Sequence, residues 1–272
     1  MSSSRKDLLG MIEERMSRVK HKIMIVSGKG GVGKSSITAL LALGTALKGR
    51  RVGILDADIH GPSIPKILGL QSSQLLVSPM GIVPVKGPLN VKVVSTQFIL
   101  PAEDSPVIWR GPLKGRLIGE FLAKVLWGEL DYLYIDLPPG TGDEPLSVAQ
   151  YIKNLTGAIV VTIPSDLSRL VVKKAIRFCE KLKVPVIGII ENMSGFTCPK
   201  CGTTYQLFGG GAGLKIALEM NIPYLGSIPI DPRLSDCNDR GEVYILKYKD
   251  SDVTKAVMKI VDEVISRVEE SS

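Results

Sequence analysis

The sequence predicts a single α/β domain in which a mainly parallel sheet is flanked by helices. Three observations carry that reading. Short, almost wholly apolar, β-branched runs recur along the chain, as expected of strands covered on both faces. Stretches of helical length separate most of them. Strand–helix alternation implies right-handed crossovers, which lay successive strands parallel. The 272 residues, 44% hydrophobic and 22% charged, are globular in composition.

Residues 2–20 are polar with helically spaced apolar positions (Leu8, Leu9, Met11, Ile12, Met16, Val19). They read as a peripheral N-terminal helix or arm, residues 1–21, ahead of a domain spanning 22–272. Strands are expected at 23–27, 52–56, 91–95, 132–136, 158–163, 186–191 and 224–228. Helices are expected at 34–48, 112–127, 167–182, 210–220 and 252–268, the last with Ser251 or Asp252 as its N-cap. Residues 77–95 read as a hairpin turning at Lys86-Gly87-Pro88-Leu89-Asn90. Residues from about 192 to 208, around Cys198-Pro199-Lys200-Cys201-Gly202, form an insertion without periodicity.

Composition also excludes functions. Lys and Arg total 34 against 27 Asp and Glu, a net charge of +7 with no basic block, so nucleic-acid binding is not expected. No apolar run reaches the roughly 18 residues of a membrane span, and no membrane partner is expected. The N-terminus lacks a signal-like apolar stretch. Four cysteines are too sparse for a disulfide scaffold, which points to a reduced, cytoplasmic setting.

Gly28-Lys29-Gly30-Gly31-Val32-Gly33-Lys34-Ser35 follows an expected strand and opens an expected helix, satisfying the Walker A pattern G-x-x-x-x-G-K-[ST]. Glycines let the backbone curl so that successive N–H groups point inward. The helix that follows, with Ser36 in its first turn, adds its positive end. Lys34 is then placed for the β- and γ-phosphates of ATP, and the Ser35 hydroxyl for Mg²⁺. Tyr132-Leu133-Tyr134-Ile135-Asp136 has the Walker B form, with Asp136 binding Mg²⁺ through water. Gly140 and Gly142 give the loop after it the freedom a γ-phosphate switch needs.

Lys29, a second lysine early in the loop, makes this K-G-G-x-G-K-[ST]. Here the sequence resembles the deviant Walker A ATPases, which include MinD, ParA, nitrogenase iron protein and the Mrp/ApbC proteins. The resemblance implies an ATP-sandwich homodimer in which Lys29 reaches the partner's nucleotide. It also assigns Asp58 of Asp56-Ala57-Asp58 to the attacking water and Asp56 to the Mg²⁺ shell, which makes Asp58, Lys29 and Lys34 the catalytic set. Asn192, at the end of a strand, matches the residue that bonds adenine, and Pro229 and Asp231 resemble the second base-flanking loop. A strand cap for Asn192 and a helix N-cap for Asp231 are equally consistent with their positions. His60 reads as a polar neighbour of the switch.

Cys198 and Cys201 form a knuckle spaced to chelate one metal centre, but one knuckle supplies only two ligands where zinc or a [4Fe–4S] cluster takes four. Cys179 and Cys237 form no second pair. The arithmetic closes if two chains each contribute a knuckle across a twofold axis, the symmetry that the resemblance independently implies through Lys29. A thioredoxin-like pair normally opens a helix, and Gly202-Thr203-Thr204 argues against that. An iron–sulfur cluster between chains is preferred, and a structural zinc knuckle stays open.

Taken together, residues 28–35, 56–65, 107–112, 127–132, 136–143, 191–193 and the knuckle resemble the Mrp/ApbC (Nubp-type) branch, over about residues 22–245. That likeness implies an ATP-dependent homodimer that slowly hydrolyses ATP, assembles a [4Fe–4S] cluster at its interface and transfers it to apo iron–sulfur proteins. The competing readings are a ParA/MinD-like positioning protein and a regulatory ATPase with a zinc knuckle.

Overall fold

The computed structural model describes residues 2–99, 111–165 and 168–270. The chain opens with α1 (Ser2–Ser17), β1 (Val19–Ser27), α2 (Lys34–Leu47), β2 (Val52–Asp56) and a single turn, α3 (Ile64–Ile67). Three short strands follow, β3 (Leu76–Ser78), β4 (Gly81–Val83) and β5 (Val85–Lys86), then β6 (Lys92–Ser95). Next come α4 (Gly111–Lys124), β7 (Leu130–Asp136), α5 (Asp143–Tyr151), β8 (Gly157–Thr162), α6 (Ser168–Lys181) and β9 (Val186–Thr197). The chain ends with β10 (Thr204–Tyr205), α7 (Ala212–Met220), β11 (Tyr224–Ile230), α8 (Pro232–Arg240), α9 (Tyr244–Lys247) and α10 (Asp252–Glu270).

All seven expected strands join one sheet. Its order is β9-β8-β1-β7-β2-β6, every neighbour parallel, with β11 parallel to β9. Antiparallel β5 lies beside β6, and β10 pairs with the far end of β9. The period-2 side-chain rule divides the core cleanly. Ile23, Ile25, Tyr132, Tyr134, Ile159 and Val161 face α2 and α10; Met24, Val26, Leu133, Ile135, Ala158 and Val160 face α1, α4, α6 and α7. Helices on both faces of a mainly parallel sheet make the single α/β domain that the alternation predicts.

Where the elements differ from expectation, the reasons are local. The N-terminal helix is more than an arm: Ile12 and Met16 are buried in the core beside α4, and β1 starts at Val19. The 77–95 segment holds two hairpins. β3 and β4 form a separate two-stranded sheet, and β5 turns through Pro88–Asn90 into β6, closed by Gly87 N–H to the Val91 carbonyl at 2.8 Å. Helices α3 and α9 are too short to show a period. α5 carries Pro145 in its first turn, where a missing N–H costs nothing. The 107–110 part of the Val-Ile-Trp-Arg-Gly-Pro stretch and residue 167, which begins the expected 167–182 helix, lie outside the described residues.

At the opposite end of the sheet from the strand carboxyl termini, His21 is 2% exposed. Its ring lies 4.9 Å from that of Tyr132, and its Nε2 finds no hydrogen-bond partner among the described residues. Burial, and then the charge of Lys20, lower its pKa from the ordinary 6.5; Glu269 and Asp131 oppose them in part. The unfolded chain therefore takes up this proton more readily than the folded one, so stability is full above pH 6.5 and falls as the pH drops below it. Urea titrations between pH 7.5 and 5 should show that decline in the native protein and a flatter profile in His21→Phe.

Candidate functional site

Three adjacent strands, β1, β7 and β2, deliver their carboxyl ends to one place, where chain order reverses across the sheet and open α/β sheets bind ligands. β1 runs into the 28–33 loop. Gly31 and Gly33 have φ of 75° and 78°, a left-handed conformation that favours glycine. A Cβ on Gly28 would lie 2.6 Å from the Val171 carbonyl, so α6 packs directly on the first residue of the loop. Ser27 Oγ donates to the Lys29 carbonyl (3.0 Å), and the Gly140 N–H donates to the Ser27 carbonyl (2.9 Å), tying this loop to the one after β7. Among the described residues no side chain caps α2, whose first N–H groups face the loop as an anion site.

Asp56 and Asp136 stand in register on β2 and β7, both fully buried. Asp136 Oδ1 accepts from Lys34 Nζ (2.7 Å) and Thr38 Oγ1 (2.6 Å), and its Oδ2 accepts from Ser35 Oγ (2.6 Å). Asp56 Oδ2 accepts from Ser95 Oγ (3.0 Å), and its Oδ1 accepts from the Asp58 N–H (3.2 Å). Burial pushes the Asp56 carboxyl well above the usual carboxylate range, and the neighbouring Asp136 pushes it the same way. One hydroxyl and two carboxylates form the hard oxygen donor set that Mg²⁺ takes.

Against this cluster lies a cavity of about 430 Å³, lined by residues 29–36, Asp58, Gly61, Ser63, Lys66, Pro139 and, from α8, Ser235, Asn238 and Asp239. Asp58 Oδ1 accepts from the Gly61 N–H at 3.3 Å, which fixes the carboxylate at the cavity wall. Lys29 lines the cavity without an ion-pair partner among the described residues, in contrast to Lys34. His60 is exposed beside it.

Asn192 does not share a cavity with Pro229 and Asp231. It is buried under the phosphate loop, its Nδ2 donating to the Val32 carbonyl at 2.9 Å. Pro229 and Asp231 line a separate groove of about 520 Å³ with Phe196, Pro199, Arg233 and Val253. Asp231 is the N-cap of α8, accepting from the Arg233 N–H, and it also pairs with the Arg233 guanidinium and accepts from the Tyr244 hydroxyl (2.6 Å).

The cysteine turn sits at the tip of the β9–β10 hairpin. The Cys198 N–H donates to the Thr203 carbonyl (2.9 Å), and the Gly202 N–H donates to the Cys198 carbonyl (2.8 Å). Cys201 is exposed, and Cys198 is half-buried. The Thr203 hydroxyl, 3.4 Å from Cys201 Sγ, together with the Thr203 N–H and the Cys198 thiol, lowers the Cys201 pKa and so favours the thiolate that binds metals. Among the described residues no group of three or more metal-binding side chains gathers within the chain. Cys179 and Cys237 are buried; burial pushes the Cys179 thiol up to about 11.

Sequence reasoning missed Thr38, Ser95 and the α8 wall. Thr38 stands four residues after Lys34, on the same helix face, so the i, i+4 spacing carried the signal. Ser95 and Asn238, whose Nδ2 donates to Ser36 Oγ (2.9 Å), come from distant elements and gave none.

Known proteins resemble this chain in sequence and in fold. The family described as "ParA: NUBPL iron-transfer P-loop NTPase" matches residues 18–265. A Saccharolobus solfataricus protein named iron–sulfur cluster carrier protein is 50% identical over 258 residues, covering 95% of this chain and 87% of that one. The nucleotide-binding protein from Archaeoglobus fulgidus, solved in complex with ADP and with Co found by PIXE, is 46% identical with a TM-score of 0.77, covering 86% and 92% of the two chains. The Aquifex aeolicus MinD cell division protein, 22% identical with a TM-score of 0.66 over 90% of this chain and 97% of that one, shares the fold.

Gly33 tests the phosphate loop. A Cβ there would take a left-handed φ, costing roughly 1–2 kcal/mol, and would meet Asn192 Nδ2. Gly33→Ala should weaken binding of a fluorescent ATP analogue at least about tenfold while leaving the far-ultraviolet circular dichroism unchanged.

Proposed function

The chain belongs to the NUBPL/ParA family of iron-transfer P-loop NTPases, and on that premise we propose that it is an ATP-dependent iron–sulfur cluster carrier. It works as a cytoplasmic homodimer that hydrolyses ATP slowly, assembles a [4Fe–4S] cluster between its two Cys198/Cys201 pairs and passes it to apo iron–sulfur proteins. The observation that carries the reading is the course of β9, which touches the phosphate loop through Asn192 and ends at the cysteine turn. The name of the Saccharolobus relative supports the same cargo.

In this reading the 28–36 backbone cradles the phosphates and Lys34 turns from Asp136 to the β- and γ-oxygens. Ser35, Asp56 and Asp136 would hold Mg²⁺, which would supply charge neutralisation at the phosphates. Asp58 orients water for in-line attack on the γ-phosphorus, whose bond to the β–γ bridging oxygen breaks to leave ADP and phosphate. Lys29, without an ion pair among the described residues, reaches across the dimer to the partner's nucleotide. Asn192 faces the adenine edge with its remaining carboxamide oxygen, while Pro229 and Asp231, in a separate groove, are not assigned to the base. Closure around ATP changes the spacing between the two cysteine turns and hydrolysis resets it.

Anaerobic reconstitution followed by iron, sulfide and zinc assay tests the cargo. The expected result is about four irons and four sulfides per dimer, lost in Cys198→Ala/Cys201→Ala while ATP binding persists. Stoichiometric zinc with no iron uptake would make the turn structural and overturn the carrier reading.

A further inference from the structure

The two buried carboxylates do not stand alone. Ser95, Asp56 and Asp136 occupy one row across β6, β2 and β7, in register at the three strand ends. Thr38 closes the row from α2. The resulting order is hydroxyl, carboxylate, carboxylate, hydroxyl: Ser95 Oγ to Asp56 Oδ2 at 3.0 Å and Thr38 Oγ1 to Asp136 Oδ1 at 2.6 Å. All four residues are fully buried.

Resting on the nucleotide site proposed above, we infer that Thr38 and Ser95 are positioning residues for the cation, each holding one carboxylate in the orientation Mg²⁺ requires. Asp136 has three side-chain donors, but two of them, Lys34 and Ser35, line the cavity and are claimed by phosphate and metal. Thr38 lies one helical turn deeper and does not line the cavity, and neither does Ser95. Their bonds therefore persist whatever occupies the site. Thr38 Oγ1 is also 3.0 Å from the Lys34 carbonyl, so the hydroxyl has an alternative acceptor on its own helix, yet its shorter contact is with Asp136. Mg²⁺ demands near-ideal octahedral geometry, and losing a partner that orients a metal ligand typically costs about 10–100-fold in metal affinity.

The test is the Mg²⁺ dependence of binding of a fluorescent, non-hydrolysable ATP analogue to the full chain. Thr38→Val keeps the side-chain shape and deletes the hydroxyl; Thr38→Ser keeps the hydroxyl; Ser95→Ala alters the other end of the row. Thr38→Val and Ser95→Ala should each need about tenfold or more Mg²⁺ for half-maximal tightening, with affinity in EDTA within about twofold of native. Thr38→Ser should restore the native titration. A native Mg²⁺ dependence in both deletions overturns the inference, as does an equal loss of affinity with and without Mg²⁺ in protein that still melts cooperatively. If Thr38→Val does not fold, Ser95→Ala decides by the same criteria. Native protein that binds no nucleotide overturns the underlying reading of the site, a result distinct from either.

Discussion

The ion pair between Lys34 and Asp136, 2.7 Å long and buried at the floor of the cavity, is the contact on which the rest of the site depends. A buried carboxylate without its partner costs about 3–5 kcal/mol, and here two carboxylates stand on neighbouring strands. The ammonium must therefore come to the carboxyl edge of the sheet, and so must the first turn of α2 that carries it. That requirement sets the curl of the 28–33 loop, since the chain has only six residues between the end of β1 and Lys34. The result is a loop whose N–H groups and lysine already face one cavity. Positive charge and open donors wait there together, as an anionic ligand requires.

A second constraint runs along β9. Glu191 and Asn192 are consecutive, so their side chains leave opposite faces of the sheet. Asn192 goes to the phosphate loop; Glu191 Oε2 accepts from the Gly213 N–H (2.5 Å) at the start of α7, the helix that follows the cysteine hairpin. The strand bends at Met193 (φ 57°) and Gly195 (φ 146°) before it reaches Cys198. From Asn192 to Cys198 is on the order of 20 Å of extended chain, a short, hydrogen-bonded path from phosphate loop to thiols.

Much of this was legible before the structure. Buried strands need apolar residues on both faces, so β2, β7 and β8 announce themselves as continuous runs. The phosphate loop is legible because its backbone conformation admits so few residues, Gly33 above all. What was not legible depends on pairing between distant segments. Nothing local distinguishes Ser95 from any serine at a strand end; its role exists only because register sets it beside Asp56. Asp231 shows the converse. Its sequence position suits a base-flanking residue and a helix cap equally, and the folded chain makes it the cap of α8 held by Arg233 and Tyr244. α1 looked peripheral because its apolar positions are few, yet Ile12 and Met16 suffice to seat it on α4.

The phosphate loop and the cysteine turn, joined by β9, are proposed to act as one device. The most direct measurement is the alkylation rate of Cys201 in the metal-free protein, with and without Mg²⁺ and a non-hydrolysable ATP analogue. The buried Cys179 and Cys237 leave the 198–201 pair as the exposed signal among the four cysteines. A several-fold change in rate on nucleotide binding is expected. Equal rates, with binding confirmed in the same sample, would contradict it.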